Sequence, residues 1–435
     1  MKKILLLLCC LFTLGTQAQQ YPTFSKTLAN GLKVIVCEKP GNDFAQVEVW
    51  YRTGSKDEKP GIRGMAHMFE HMMFRGTKNF PGSRLMDMLD SVGGNWNAYT
   101  TFDRTVYHEY LPAGAVDMAL QLEADRMTNL VVTQEILNTE REVVGEELRN
   151  GLSNWYRKTM TDRYPLLYPA GHPYEVDVIG NLDEITAFTA QQCMDFYNNF
   201  YSPNNAFVVV AGNVKHDAVF ASCEKYFGPV TKQLKLEKKQ DIPDVFTSKL
   251  KGTDVELNFP VQIYSYAFPH PSPDSKDFFA VNMLTSVLFT DDNSILMNRL
   301  VKKDFSAYGI QAVSEDYSLY PNRMLIDVFM PPSPGNVKVK KAIREEISKV
   351  AAEGLPEDMI DAFIAHQEAT QLLSNYSSAD IAGQLGIAEY YFRDHRRAFS
   401  PADEYKKITN DDFKRVAATY FSEEKIEIIN LKPAF

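Results

Sequence analysis

Two stretches of this chain echo each other at a fixed offset. Thr189 opens one, which runs through Phe200-Tyr201-Ser202 to Val208-Val209-Val210. Thr409 opens the other, which runs through Tyr420-Phe421-Ser422 to Ile428-Ile429, 220 residues later. Each reads as a helix ending in two aromatics and a serine, then a short loop, then an apolar strand. A helix–strand unit repeated at that distance implies a duplicated domain of about 200 residues. The length of 435 residues fits, because it exceeds one ordinary domain. Between the copies, residues 230–245 carry Lys232, Lys235, Glu237, Lys238, Lys239, Asp241 and Asp244, the charge density of an exposed connector. The expected organisation is a first domain over 20–229, a linker over 230–245 and a related domain over 246–435.

The first residues read as a leader rather than as part of the fold. Met1-Lys2-Lys3 is basic, 4–14 is an apolar run, and Thr16-Gln17-Ala18 ends in a small residue. That layout is a secretory signal peptide over 1–18, cut after Ala18, so an exported protein is expected, periplasmic or extracellular. The apolar run is shorter than the roughly 20 residues a membrane span needs. Cys9 and Cys10 follow Leu6-Leu7-Leu8, where a lipid-attachment site would want small residues. Three cysteines remain after cleavage: Cys37, Cys193 and Cys223. They are too few and too scattered for a disulfide scaffold, and buried free thiols are expected over a Cys193–Cys223 bridge. Losing Lys2 and Lys3 takes the formal net charge from −10 to −12. An acidic chain is a poor partner for nucleic acid. With 45% hydrophobic and 23% charged residues, the composition also excludes collagen, coiled coil and wholesale disorder.

Local pattern fills in the first half. Asn30-Gly31 between 23–28 and 32–37 signals a hairpin, since both residues tolerate positive φ. Residues 45–51 alternate as a strand. Residues 62–74 and 84–92 read as helices, the second stopped by Gly93-Gly94. Strands are expected at 96–99 and 105–110, and helices at 115–127 and 133–152. Strand runs separated by helical hairpins favour an α+β fold over strict βαβ alternation.

The chemistry concentrates in His67-Met68-Phe69-Glu70-His71. On a helix, positions i and i+4 share a face, so His67 and His71 can hold one metal ion together. Zinc accepts imidazole nitrogen, and a catalytic zinc leaves one position for water. A carboxylate nearby, here Glu70, can take that water's proton. This is the inverted order of the common His-Glu-x-x-His peptidase motif. A third ligand is needed, and the helix over 133–152 offers Glu135, Glu140, Glu142, Glu146 and Glu147. Glu140 and Glu147 share a face, and spacing alone does not choose between them.

His67-x-x-Glu70-His71, followed by Glu147 within Glu140-Arg-Glu-Val-Val-Gly-Glu-Glu147, resembles the pitrilysin, insulinase and mitochondrial processing peptidase family. The resemblance implies that His67, His71 and Glu147 bind one Zn2+ per chain, that Glu70 is the general base, and that Glu140 supports the site without ligating. Gly93-Gly94-x-x-Asn97-Ala98-x-Thr100 is similar to the family's edge strand, where Asn97 and Ala98 would contact substrate backbone. His172-Pro173-Tyr174, Gly180 and Tyr201-Ser202-Pro203-Asn204-Asn205 match structural landmarks of the family. His172 and His108 are read as structural rather than as ligands. The fold implied is two related α+β domains forming half of a clamshell around a chamber that admits unfolded peptides.

The second half departs from the family pattern. No His occurs between Val281 and Val301, so one metal site per chain is expected. Many active members carry an Arg seven residues before a Tyr. Here Tyr308 matches the Tyr, Val301 stands in place of the Arg, and Phe305 replaces a usual Gly. Arg299 and Lys302 lie nearby but out of register. The resemblance therefore implies a homodimer, or a heterodimer with a metal-free sister subunit that supplies the Arg/Tyr pair. The function expected is a zinc endopeptidase acting on unfolded peptides. The alternatives are a peptide-binding or assembly subunit with little turnover, and a non-enzymatic extracellular protein with a structural metal.

Overall fold

Both repeated stretches open on the same capping device in the structure, a computed structural model that describes residues 21–232, 242, 253–257, 261–313, 317–332, 337–422 and 427–433. The Thr189 hydroxyl accepts from the Gln192 N–H, and the Gln192 side chain accepts from the Thr189 N–H. Thr409 and Asp412 make the same reciprocal pair. Each box satisfies two otherwise unpaired donors and fixes where the helix begins. The expected leader over 1–18 and most of the expected linker over 230–245 lie outside the described residues.

The first half runs β1 (Thr23–Thr27), β2 (Lys33–Glu38), β3 (Phe44–Tyr51), α1 (Met65–Met72), α2 (Arg84–Ser91), β4 (Asn95–Thr100), β5 (Thr105–Pro112), α3 (Val116–Asn129), α4 (Gln134–Ser153), α5 (Trp155–Leu167), α6 (Ala190–Phe200), β6 (Ala206–Gly212) and α7 (His216–Tyr226). The second runs β7 (Thr253–Leu257), β8 (Gln262–His270), α8 (Phe278–Thr285), β9 (Gly309–Ala312), β10 (Asn322–Met330), α9 (Val337–Glu353), α10 (Glu357–Ser374), α11 (Ser378–Phe392), α12 (Asn410–Tyr420) and β11 (Glu427–Pro433). The sheets are ordered β1-β2-β6-β3-β5-β4 and β7-β11-β8-β10-β9. Apart from β1, the two orders coincide. The parallel pair also recurs in place, β2 with β6 and β7 with β11. The chain is thus two related α+β domains, and the duplication extends to topology.

The central strands of each sheet are buried on both faces, and each half supplies a cover for the other. Val34, Val36, Val47, Val49, Val208 and Val210 face a core shared with α1, α3 and α6. The opposite side chains, including Ile35, Trp50, Phe207 and Val209, pack under Ile381, Ala382 and Leu385 of α11, from the second half. Gly386 of α11 crosses directly over the Trp50 indole, where a Cβ would stand 2.1 Å from the ring. Reciprocally, Ile263, Ala267, Leu325, Ile429 and Leu431 of the second sheet pack against Leu167 of α5 and Tyr168 and Tyr174 beyond it. Strands covered on both faces read as unbroken apolar runs, which explains Phe207-Val208-Val209-Val210.

The hairpin expected at Asn30-Gly31 forms, β1 running antiparallel to β2, through a connection longer than two residues: Thr27 pairs with Lys33, and the Asn30 amide donates to the carbonyls of Phe227 and Val230. One expectation shifts. The helix expected over 62–74 is confined to α1, because Gly64 sits at φ 94° immediately before it. Cys37, Cys193 and Cys223 are buried free thiols.

Candidate active site

The start of α1 is fixed by a carboxylate remote from the histidine motif. Glu58 accepts from the N–H of Gly64 and of Ala66, both at 2.7 Å. These are first-turn donors with no partner inside the helix. Gly64 must be a glycine, since a Cβ there would stand 2.6 Å from the Ile179 carbonyl oxygen. Gly180 presses back from the other side, its missing Cβ 2.4 Å from the Arg63 oxygen. The loop around 179–180 thereby clamps the beginning of α1.

From this seat α1 presents His67 and His71 on one face, their ring centroids 4.9 Å apart. Helix α4 packs alongside and brings in its acids. Glu147 Oε2 lies 3.6 Å from His67 Nε2 and 3.3 Å from His71 Nε2. Among the described residues these three form a cluster able to hold a metal, their donor atoms within 4.8 Å of one another. Zinc with bonds of about 2.0–2.1 Å in tetrahedral geometry sets its ligand atoms about 3.4 Å apart. The two histidine–carboxylate distances bracket that value, so two imidazoles and a carboxylate fit the ion in type, and the carboxylate fits in spacing.

Glu140 occupies a different place. It is fully buried, 3.7 Å from His71 Nδ1 and 2.5 Å from Arg75 Nε. It therefore backs the ring nitrogen that faces away from Glu147, the arrangement that orients a ligating histidine. The charges follow from these contacts. Burial opposes protonation of His71, yet Glu140 and Glu147 outweigh it and push the ring up to about 9. Burial dominates at His67 and lowers it to about 4. His71 holds the Glu147 carboxyl below its usual range. His67 Nδ1 is buried with no hydrogen-bond partner among the described residues.

Glu70 lies beside the cluster. Its Oε2 accepts from the Thr100 hydroxyl at 2.7 Å, and burial raises its carboxyl above the ordinary value against that hydrogen bond. Thr100 ends β4, the edge strand of the first sheet. Asn97 and Ala98 lie on the same strand, Asn97 exposed and Ala98 nearly buried. Asn97 Oδ1 accepts from the N–H of Ala98. A cavity of about 380 Å³ opens from His67, Glu70 and Glu147 toward Phe102, Arg157 and Tyr164. Val313, Arg323 and Leu325 of the second half line its far side. Sequence reading missed these residues, because only the exchange of α5 between the halves brings them to the motif.

Tyr308 is not in that cavity. It is 66% exposed, just before β9, with its N–H donating to the Phe329 carbonyl. Val301 packs against the second core. Arg299 is engaged by Glu345 and Glu346, and Lys302 donates to the Asp292 carbonyl at 2.6 Å. His172 is fully buried under the Tyr168 ring, its Nδ1 accepting from the Tyr174 N–H. His108 lies on β5, opposite Asn97.

Comparisons with known proteins point one way. A family model described as Insulinase (Peptidase family M16) matches residues 33–165, and one described as Peptidase M16 inactive domain matches 187–365. The zinc protease PqqE of Helicobacter pylori is 29% identical over 440 residues, spanning 97% of this chain and 96% of its own. An uncharacterized zinc protease of Streptomyces coelicolor is 23% identical, spanning 90% of this chain and 85% of its own. A crystal structure of a protease from Helicobacter pylori superposes with a TM-score of 0.84 at 26% identity, covering 95% of this chain and 100% of that one. The periplasmic protease PqqL of Escherichia coli shares the fold, with a TM-score of 0.76 at 19% identity. This chain spans 48% of PqqL.

Proposed function

The chain belongs to the insulinase (M16) peptidase family, and from that premise we propose that it is an exported zinc endopeptidase acting on unfolded peptides. The observation that carries this reading is the convergence of His67, His71 and Glu147, the carboxylate near one tetrahedral edge length from each histidine, with Glu70 beside them. His67, His71 and Glu147 would hold the ion, and Glu140 would orient His71 through Nδ1. When bound, zinc supplies Lewis acidity toward the scissile carbonyl and toward the attacking water.

The remaining steps belong to the protein. Glu70 takes one proton from the water as its oxygen bonds to the carbonyl carbon. It then delivers that proton to the amide nitrogen as the C–N bond breaks. Thr100 holds Oε2, which leaves Oε1 for the transfer. Burial raises Glu70 toward working pH, the direction that makes a carboxylate a better general base. The free edge of β4 accepts the substrate as an added strand, with Asn97 and Ala98 against its backbone. Main-chain pairing leaves substrate side chains largely unread and admits only extended chains.

Val301 supports a second component of the reading. The two nearby cations are engaged locally, and Tyr308 faces solvent outside the cavity. A homodimer, or a heterodimer with a metal-free sister chain, would then supply the missing cation and bring a Tyr against the oxyanion. The same feature favours the alternative of a peptide-binding subunit with little turnover alone.

Incubating the purified chain with zinc and a mixture of unstructured peptides, beside Glu70→Gln, separates the two. Cleavage that disappears in the variant is the expected result. A folded, zinc-loaded chain that binds peptide but cleaves none, alone or with a sister chain, would replace the peptidase reading with the binding one.

A further inference from the structure

The cavity beside the zinc cluster holds one exposed guanidinium. Arg157 lies ten residues beyond Glu147, in the first turn of α5, where the Asn154 side chain accepts from its N–H at 3.1 Å. The backbone is thereby fixed while the side chain stays 51% exposed. Among the described residues its head has one loose tether, Nη2 to Asp177 Oδ1 at 3.5 Å. The other oxygen of Asp177 already accepts from Thr161 at 2.8 Å. A guanidinium carries five N–H donors, so this contact leaves most of its fork for another acceptor. Among the described lining residues the only other guanidinium is Arg323, and it is 2% exposed. Phe102, Met160, Tyr164 and Leu167 form the apolar wall beside Arg157, and apolar surroundings strengthen a charge pair at the mouth.

We propose that Arg157 reads a carboxylate on the substrate, so that peptides bearing Asp or Glu close to the scissile bond are preferred. The inference rests on the peptidase reading for its cleavage step and deepens it by naming a substrate class. An extended strand advances about 3.3 Å per residue. A side chain that meets Arg157 in the same cavity therefore lies within about three positions of the cleaved bond. The opposing charges are Glu70, Asp103, Glu147 and Asp177. Glu147, half exposed like Arg157, is committed to the cluster, Glu70 to Thr100, Asp177 to Thr161 and Asp103 to Tyr174, Tyr391 and the Leu319 N–H, whereas most of the Arg157 fork is uncommitted.

The test uses peptides identical except for Glu, Gln or Lys at each of three positions on either side of the cleaved bond. They are given to the zinc-loaded chain, Arg157→Gln and Arg157→Glu. The native chain should favour Glu over Lys in kcat/KM by about two- to fivefold at one position, the yield of one half-exposed charge contact. Arg157→Gln should bring that ratio close to one, and Arg157→Glu should invert it. Fluorescence anisotropy of the same peptides on Glu70→Gln gives a second readout, in which the Kd ratio should follow the same order. Cleavage with a charge ratio that neither variant moves would overturn the inference and leave the peptidase reading standing. Absence of cleavage with a binding ratio that still follows Arg157 would do the reverse. If Arg157 only anchors Asp177, the variants melt earlier with unchanged ratios, and the inference fails. Should Arg157→Glu not fold, Arg157→Gln decides.

Discussion

Spacing makes Glu140 and Glu147 equivalent, since seven residues return a helix to the same face. Packing separates them: Glu147 meets the Nε2 atoms of both histidines, while Glu140 is buried against His71 Nδ1 and Arg75. Much of the site is thus legible in short-range pattern, because His67, Glu70 and His71 lie within two turns of one helix. What pattern does not reveal is orientation, which is set by a second helix. The two acids should respond differently to the same change. Glu147→Gln removes a donor and should abolish tight zinc binding. Glu140→Gln keeps all three donors but loosens the His71 ring, and zinc affinity should fall by about 10–100-fold. Competition against a chromophoric chelator, with metal content read by mass spectrometry, measures both. Equal losses in the two variants would make Glu140 a ligand in its own right.

At the scale of the element, most strands and helices can be read from alternation and caps, and α4 begins where Thr133 accepts from the Ile136 N–H. Helix α1 is the exception. Apolar periodicity continues back to Ile62, but the chain turns through Gly64 at φ 94° and takes its cap from Glu58. No standard capping position marks this one, because the carboxylate reaches in from six residues before Gly64 in the loop that leads into the helix. That carboxylate satisfies two buried N–H groups, and losing a buried partner costs about 1–3 kcal/mol per group. Glu58→Ala should therefore destabilise the fold by about 2–6 kcal/mol, read from urea unfolding. It should also weaken zinc binding although it touches no donor, because the register of His67 and His71 depends on that first turn. Lost stability with unchanged zinc affinity would show that α4 alone holds the histidines in place.

For the whole molecule, the duplication is legible in Thr189 and Thr409, but the exchange of covers is not. A repeat says that two units are alike; it does not say which helix lies on which sheet. In the structure α11 covers the first sheet and the segment from Leu167 to Tyr174 covers the second. Buried polar contacts then join the halves. Arg163 Nη1 lies 2.7 Å from Asp327 Oδ1, both side chains fully buried, and Ser265 and Tyr156 donate to the same carboxylate. Asp103 accepts from Tyr174, Tyr391 and the N–H of Leu319. Neither sheet can keep both faces dry without the other half, so the halves should unfold together. Asp327→Ala strands Arg163 uncompensated, and breaking one side of a buried pair costs about 3–5 kcal/mol. With Trp96 and Trp155 replaced by Phe, Trp50 reports from the first half, between its sheet and α11. Its fluorescence and far-UV circular dichroism should trace one coincident urea transition, which Asp327→Ala moves to lower urea for both probes. A dichroism curve in two steps, with the fluorescence midpoint unmoved by Asp327→Ala, would mean that the halves fold independently and that the exchanged helices are only a dressing.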